Sequence, residues 1–178
     1  DSLLAMSHIY MGELQKAMSI YEDILALAKR IKYPIHISDA MTGLGLCYLL
    51  FGEWDKSLQS LEEALDIAKK TGEYQFSGLA TIILGALFME MEDYAEAEKY
   101  FQESIRIYES AGETVMLLME VFPDLSALYL KKGEIAKAEE LIEKVYQYAT
   151  KTKHKLLTPY AEALKAMLFR EKKNWEQS

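Results

Sequence analysis

The sequence is short of the residues that break chains and crosslink them. Its 178 residues include one cysteine, three prolines and nine glycines. The single thiol, Cys47, excludes an intrachain disulfide framework and any multi-cysteine zinc site, and suits a reducing compartment. So few turn formers favour long helices over a many-stranded β fold. Positive charge is also scarce, with 20 Lys and Arg against 28 Asp and Glu, a net charge of −8. Phosphate backbones are bound by basic faces that release counterions, so no nucleic-acid partner is expected. A bilayer span needs ~20 apolar residues. The longest apolar stretches, 44–51 and 79–89, fall short of that, and Thr81 and Gly85 interrupt the second. Membrane insertion is therefore not expected. No basic n-region or small-residue cleavage site follows Asp1, so no signal peptide is read, and the expected location is cytoplasmic.

What the sequence does contain is a repeat. Hydrophobic residues at 51% and charged residues at 27% describe a folded chain, expected as a single repeat domain over 1–178. The segments Met11-Gly12-Glu13-Leu14, Phe51-Gly52-Glu53-Trp54, Met91-Glu92-Asp93-Tyr94, Lys132-Gly133-Glu134-Ile135 and Lys172-Lys173-Asn174-Trp175 read as one turn, recurring. Their second residues, at 12, 52, 92, 133 and 173, are 40, 40, 41 and 40 apart. After each of the first four turns comes a small residue and then a large one at helical spacing: Ala17 and Tyr21, Ser57 and Leu61, Ala97 and Phe101, Ala138 and Ile142. Before each turn stand His8, Tyr48, Phe88, Tyr129 and Phe169, and three residues earlier Ala5, Gly45, Gly85, Ser126 and Ala166. Small residues let two helices approach, and large ones fill the space beside them. The pattern predicts helical hairpins at roughly 1–33, 34–72, 73–112, 113–153 and 154–178, the last one truncated.

Local chemistry supports helices between the turns. Leu58, Leu61, Ala64, Leu65 and Ala68 share one helical face. Lys29-Arg30, Lys69-Lys70 and Lys151 place cations at helix ends, where the macrodipole favours them. Thr158-Pro159 reads as an N-cap followed by proline in the first helical position, and Pro34 also falls early in its helix. Asn174, with Gln177 three residues on, reads as the cap of a new helix cut short at Ser178. Pro123 falls inside a predicted helix, which is expected to split so that Pro123 starts the second piece.

The run Gly45, Tyr48, Gly52, Trp54, Ser57, Leu61, Ala64 resembles the tetratricopeptide repeat pattern, as does Gly85, Phe88, Tyr94, Ala97, Phe101. The resemblance covers essentially the whole chain. It implies an all-α solenoid of antiparallel helix hairpins in a right-handed superhelix. The usual unit is about 34 residues, and the longer unit here is similar to those of kinesin light chains, polarity adaptors and sensor domains of bacterial regulators. Such proteins are binders and sensors, so the implied function is a non-catalytic module gripping a peptide or amphipathic helix in its concave groove. A ligand-sensing regulatory domain and a self-assembling structural spacer are the alternatives.

The resemblance also implies which residues face that groove. By register they are Met6 and Ile9, then Thr42, Leu46 and Leu49, then Ile82, Ala86 and Met89, then Ala127 and Leu130, and finally Ala163 and Met167. The row is largely apolar and has few polar anchors. It lacks the Lys, Asn and Arg with which related domains clamp a terminal carboxylate. Such a row suits an apolar segment, because methionine adapts to irregular shapes; alternatively, a tightly wound solenoid packs the row against itself. No catalytic constellation, metal site or cofactor is expected. His8 falls in the aromatic slot and reads as a core residue, Cys47 as a packing residue, and the carboxylates of 62–66 and 139–143 as solvated faces. The open apolar ends of the array leave self-association as a further expectation.

Overall fold

The computed structural model describes residues 1–155 and 157–176, the last three of them as backbone only. All regular structure in the described residues is helical. The helices are α1 (Ser2–Tyr10), α2 (Leu14–Ile31), α3 (Pro34–Leu50), α4 (Trp54–Thr71), α5 (Tyr74–Glu90), α6 (Tyr94–Ser110), α7 (Thr114–Met116), a π-helical turn (Leu117–Val121), α8 (Phe122–Lys131), α9 (Ile135–Thr152) and α10 (Leu157–Glu176). They group into two compact units, Asp1–Met91 and Glu92–Ser178.

The turns are built alike. At Gly52, for example, the glycine takes φ +75° and donates to the Leu49 carbonyl, while Glu53 N–H donates to the Tyr48 carbonyl at 2.9 Å. This six-residue closure satisfies carbonyls that the helix end would otherwise leave unpaired. Left-handed residues stand at Gly12, Lys32, Gly52, Gly72, Glu92, Gly112, Gly133 and Lys153. Each lies 20 residues from the next, except that Gly112 and Gly133 are 21 apart. The spacing of 41 seen once in the sequence is thereby traced to a single helix.

That helix holds its extra residue in the π-helical turn. Leu117 and Phe122, at the two ends of the turn, both have right-handed helical dihedrals, so the helix widens without breaking. Pro123 does lie in the first turn of α8, but the expected split at Pro123 is not there. Proline has no N–H to lose, and it is tolerated where the hydrogen-bond register shifts from four residues to five.

In the first unit the core joins Ala5, Ala17, Tyr21, Ala40, Leu44 and Cys47. Ser57 takes the slot of Ala17 in the next hairpin and donates its hydroxyl to the Gly45 carbonyl at 2.8 Å, tying α4 to α3. In the second unit, Leu118, Val145, Ala149, Leu157 and Ala161 form a core cluster. The small and large partners predicted after each turn are buried throughout: Ala17, Ser57, Ala97 and Ala138, with Tyr21, Leu61, Phe101 and Ile142.

Two predicted helix starts are corrected. Thr158 is not the cap of α10, because it lies inside the first turn, with its N–H bonded to the His154 carbonyl at 2.9 Å. The His154 ring does the capping instead, with Nδ1 accepting from Leu157 N–H at 3.2 Å. Asn174 starts no new helix, since α10 runs through it to Glu176; Gln177 lies outside the described residues. Lys173 stands at the position of the left-handed Gly12, Gly52, Glu92 and Gly133, but α10 continues through it.

Candidate functional site

In the first unit the predicted row borders a cavity of about 150 Å³. Met6 of α1, Thr42 and Leu46 of α3, and Leu79 and Ile83 of α5 contribute to its walls. The Thr42 hydroxyl is satisfied within its own helix, donating to the Ser38 carbonyl at 2.8 Å. Ile9, Leu49, Ala86 and Met89 are half-buried and Ile82 is buried, and none of them lines this cavity. The cavity also has a polar anchor that lies outside the row. Asp39 also lines the cavity and accepts from the Ser2 hydroxyl at 2.5 Å. It lies three residues before Thr42, one turn up the same helical face, so the register could have found it.

In the second unit Ala127 is half-buried, Leu130 buried, and Ala163 and Met167 exposed. Again the polar groups stand one turn before the predicted residues. Asp124 precedes Ala127 and Tyr160 precedes Ala163 by three positions, and the Tyr160 phenol acts on the Asp124 carboxylate from α10 to α8. Burial pushes Asp124 up to about 6; the neighbouring Glu120 charge pushes the same way, and the Tyr160 hydrogen bond pulls it back. Burial also raises Tyr160, to about 12. Glu120, on the π-helical turn, is raised by burial against the pull of the Tyr108 hydroxyl, which donates to its Oε2 at 3.1 Å.

Tyr108 explains why that turn is wide. It lies four residues before Gly112, where Ala28, Ala68 and Ala149 stand before Lys32, Gly72 and Lys153. All four side chains are buried, so one hairpin must house a phenol where the others house a methyl group. The inserted residue of the π turn opens the facing helix at that place.

The Asp124 pKa gives a signed expectation. Its folded pKa lies above the ordinary 3.8, so the stability it contributes is complete below about pH 4 and is lost as pH rises through about 6. The urea midpoint of the native chain should fall between pH 5 and 7 relative to that of Asp124→Asn. Parallel pH profiles for the two proteins would contradict this.

The remaining chemical candidates serve the fold. Cys47 is fully buried, and burial pushes its thiol up to about 11. His8 is only half-buried, correcting its reading as a core residue. Its Nδ1 contacts Glu13 Oε2 at 2.6 Å, clamping the first turn, because an imidazole in the aromatic slot needs a polar partner. Glu139, Glu140 and Glu143 pair with Lys172, Lys144 and Lys165 at 2.5, 2.7 and 3.0 Å. No group of three or more potential metal ligands occurs among the described residues. None of the described helices is long and apolar enough to cross a membrane.

Comparison with known proteins places this geometry. The tetratricopeptide repeat family model matches residues 1–70 and 78–151. Response regulator aspartate phosphatase A of Bacillus subtilis is 29% identical over 152 residues, covering 84% of this chain and 37% of that protein. The human SH3 domain and tetratricopeptide repeat-containing protein 2 is 31% identical over 128 residues, covering 70% of this chain and 10% of that protein. The chain thus spans well under half the length of these relatives. Among solved structures, aspartyl phosphate phosphatase F from Bacillus subtilis superposes with a TM-score of 0.78 at 19% identity, over 93% of this chain and 43% of that one. Podosopora anserina repeats described as kinesin light chain superpose with a TM-score of 0.70 at 18% identity, over 99% of this chain and 86% of that one. Matched along most of its length by the repeat model and built of paired helices closed by recurrent turns, the chain belongs to the tetratricopeptide repeat family.

Proposed function

We propose that the chain is a non-catalytic, partner-binding part of a cytoplasmic signalling protein, holding a peptide or amphipathic helix against the first helices of its hairpins. The observation that carries this reading is the cavity among α1, α3 and α5. Met6, Leu46, Leu79 and Ile83 offer an apolar seat of about 150 Å³, room for one aliphatic side chain, and Asp39 supplies a polar anchor beside it. Helical repeats use such faces for binding and rarely for chemistry. The phosphatase activity named in the Bacillus relatives is taken to require more than these repeats, which cover 37% of one such protein.

A sensing role is the second reading, favoured by the polar groups found beside the row. Asp39 with Ser2, and Asp124 with Tyr160, are anchors of the kind a small effector or short peptide requires. A further relative, regulatory protein RapG of Bacillus subtilis, carries a regulatory name. Leu3, Leu4 and Tyr10 of α1 are exposed, whereas Leu44, Leu84 and Leu125, in the register of Leu4, are buried.

The test is affinity capture from native extract with the unmodified chain and with Leu46→Glu/Ala86→Glu, both checked for helicity. A partner held only by the unmodified chain is the expected result. Identical captures would remove this face from consideration.

A further inference from the structure

The second unit carries another cleft, on a surface that the function proposed above does not use. It lies between the end of α6, the π-helical turn and α9, with a volume of about 560 Å³. Leu117 and Leu118 of the π turn, Phe122 of α8 and Tyr148 of α9 form its apolar surface, and Lys144 and Lys151 stand along α9 at its edge. The size is that of a ligand or side-chain site, and π-helical turns often mark functional positions. Glu109 is the one carboxylate among the residues lining it.

The repeat register shows that Lys144 is particular to one hairpin, whereas Lys151 has the counterparts Arg30 and Lys70. Nine residues before the left-handed turn residue stand Asp23, Glu63 and Glu103 in the first three hairpins, and Lys144 in the fourth. Six before it, Ala26, Asp66 and Arg106 give way to Gln147. The acid is thus reversed in the hairpin that has the inserted residue, in a chain of net charge −8. Lys144 lies over the Phe122 ring at 5.8 Å and pairs with Glu140 only across one exposed turn of its own helix, a bond weak enough to exchange. No ion pair holds Lys151 among the described residues.

We infer that this cleft docks an acidic amphipathic peptide segment of a protein partner, a large apolar side chain lying against Phe122 and Tyr148 while neighbouring carboxylates pair with Lys144 and Lys151. Apolar burial supplies the grip, and the two ammonium groups select acidic partners over basic ones. A protein segment fits because the lysines lie two helical turns apart along α9, the spacing that carboxylates on a docked helix would match.

The test uses a displayed library of random dodecapeptides, selected on the unmodified chain and on Lys144→Glu/Lys151→Gln. Glutamate at 144 restores the charge that the other hairpins carry, so the variant is expected to fold, as circular dichroism will verify. The expected result is enrichment of sequences that join Asp or Glu to Phe, Leu, Met or Trp. Synthetic versions should bind the variant at least tenfold more weakly, and Leu46→Glu/Ala86→Glu unchanged. Three results would each overturn the inference: enrichment without acidic residues, equal binding by the lysine variant, or decanoate binding as tightly as the selected peptides, which would assign the cleft to small anionic amphiphiles.

Discussion

Tyr108→Ala should lower stability by about 3–5 kcal/mol, the cost of emptying a fully buried aromatic site. It also removes the hydroxyl that Glu120 accepts from, leaving a half-buried carboxyl without that partner. Deleting Glu120 alone should also destabilise. The helix would return to the 20-residue spacing of its neighbours and be driven onto the phenol, an overpacking worth about 1–3 kcal/mol. The two changes together should do better than their sum. Alanine at 108 and a spacing of 20 are what the other hairpins already have, so a coupling of about 2 kcal/mol is expected from a double-mutant cycle. Urea unfolding of the four proteins measures it. Additive costs would mean that the π turn and Tyr108 are unrelated.

Gly45→Ala is the second large expectation, and its sign runs against helix propensity. At an exposed helix interior the change gains about 1 kcal/mol. In α3 an added Cβ would come within 2.5 Å of Leu61 Cγ, and Leu61 is fully buried with nowhere to retreat. Overpacking of this kind costs about 1–3 kcal/mol. The net result should be a loss of up to about 2 kcal/mol, or roughly 4–8 °C in Tm at the upper end for a chain of this size. A stabilised variant would show that α3 and α4 can part at no cost. The close approach also sets the interhelix bond from Ser57 to the Gly45 carbonyl, so the loss should appear as a lower midpoint for the first unit.

The sequence carried the repeat clearly, because small and large residues recur at a constant distance from each turn. Ala17 with Tyr21 and Ser57 with Leu61 were readable as buried pairs before any coordinates. The π turn was not. A spacing of 41 says that a residue is extra and not where it is; the second set of turns, at Lys32, Gly72, Gly112 and Lys153, assigns it to one helix. Tyr108 among alanines was visible in the same register, but only once those turns were known. The site was half legible. The row through Met6, Thr42 and Leu46 did fall on the cavity, while Asp39 and Asp124 were passed over because a helical face is wider than one line of residues. The cap of α10 is not legible in the sequence because a histidine ring takes the role usually given to Thr or Asp.

The even spacing of left-handed residues makes the chain editable in whole units. Seven of these turns, at Gly12, Lys32, Gly52, Gly72, Gly112, Gly133 and Lys153, are closed by a bond reaching back five residues, as from Glu53 to Tyr48, so their shape depends on no distant segment. A block of 40 residues running from one left-handed position to the equivalent one can be duplicated or removed while every later residue keeps its phase. The fourth hairpin, with its 41, is where such an exchange would carry a change of phase with it. Length in this architecture is therefore a variable that can change in steps, independently of the chemistry displayed on each step.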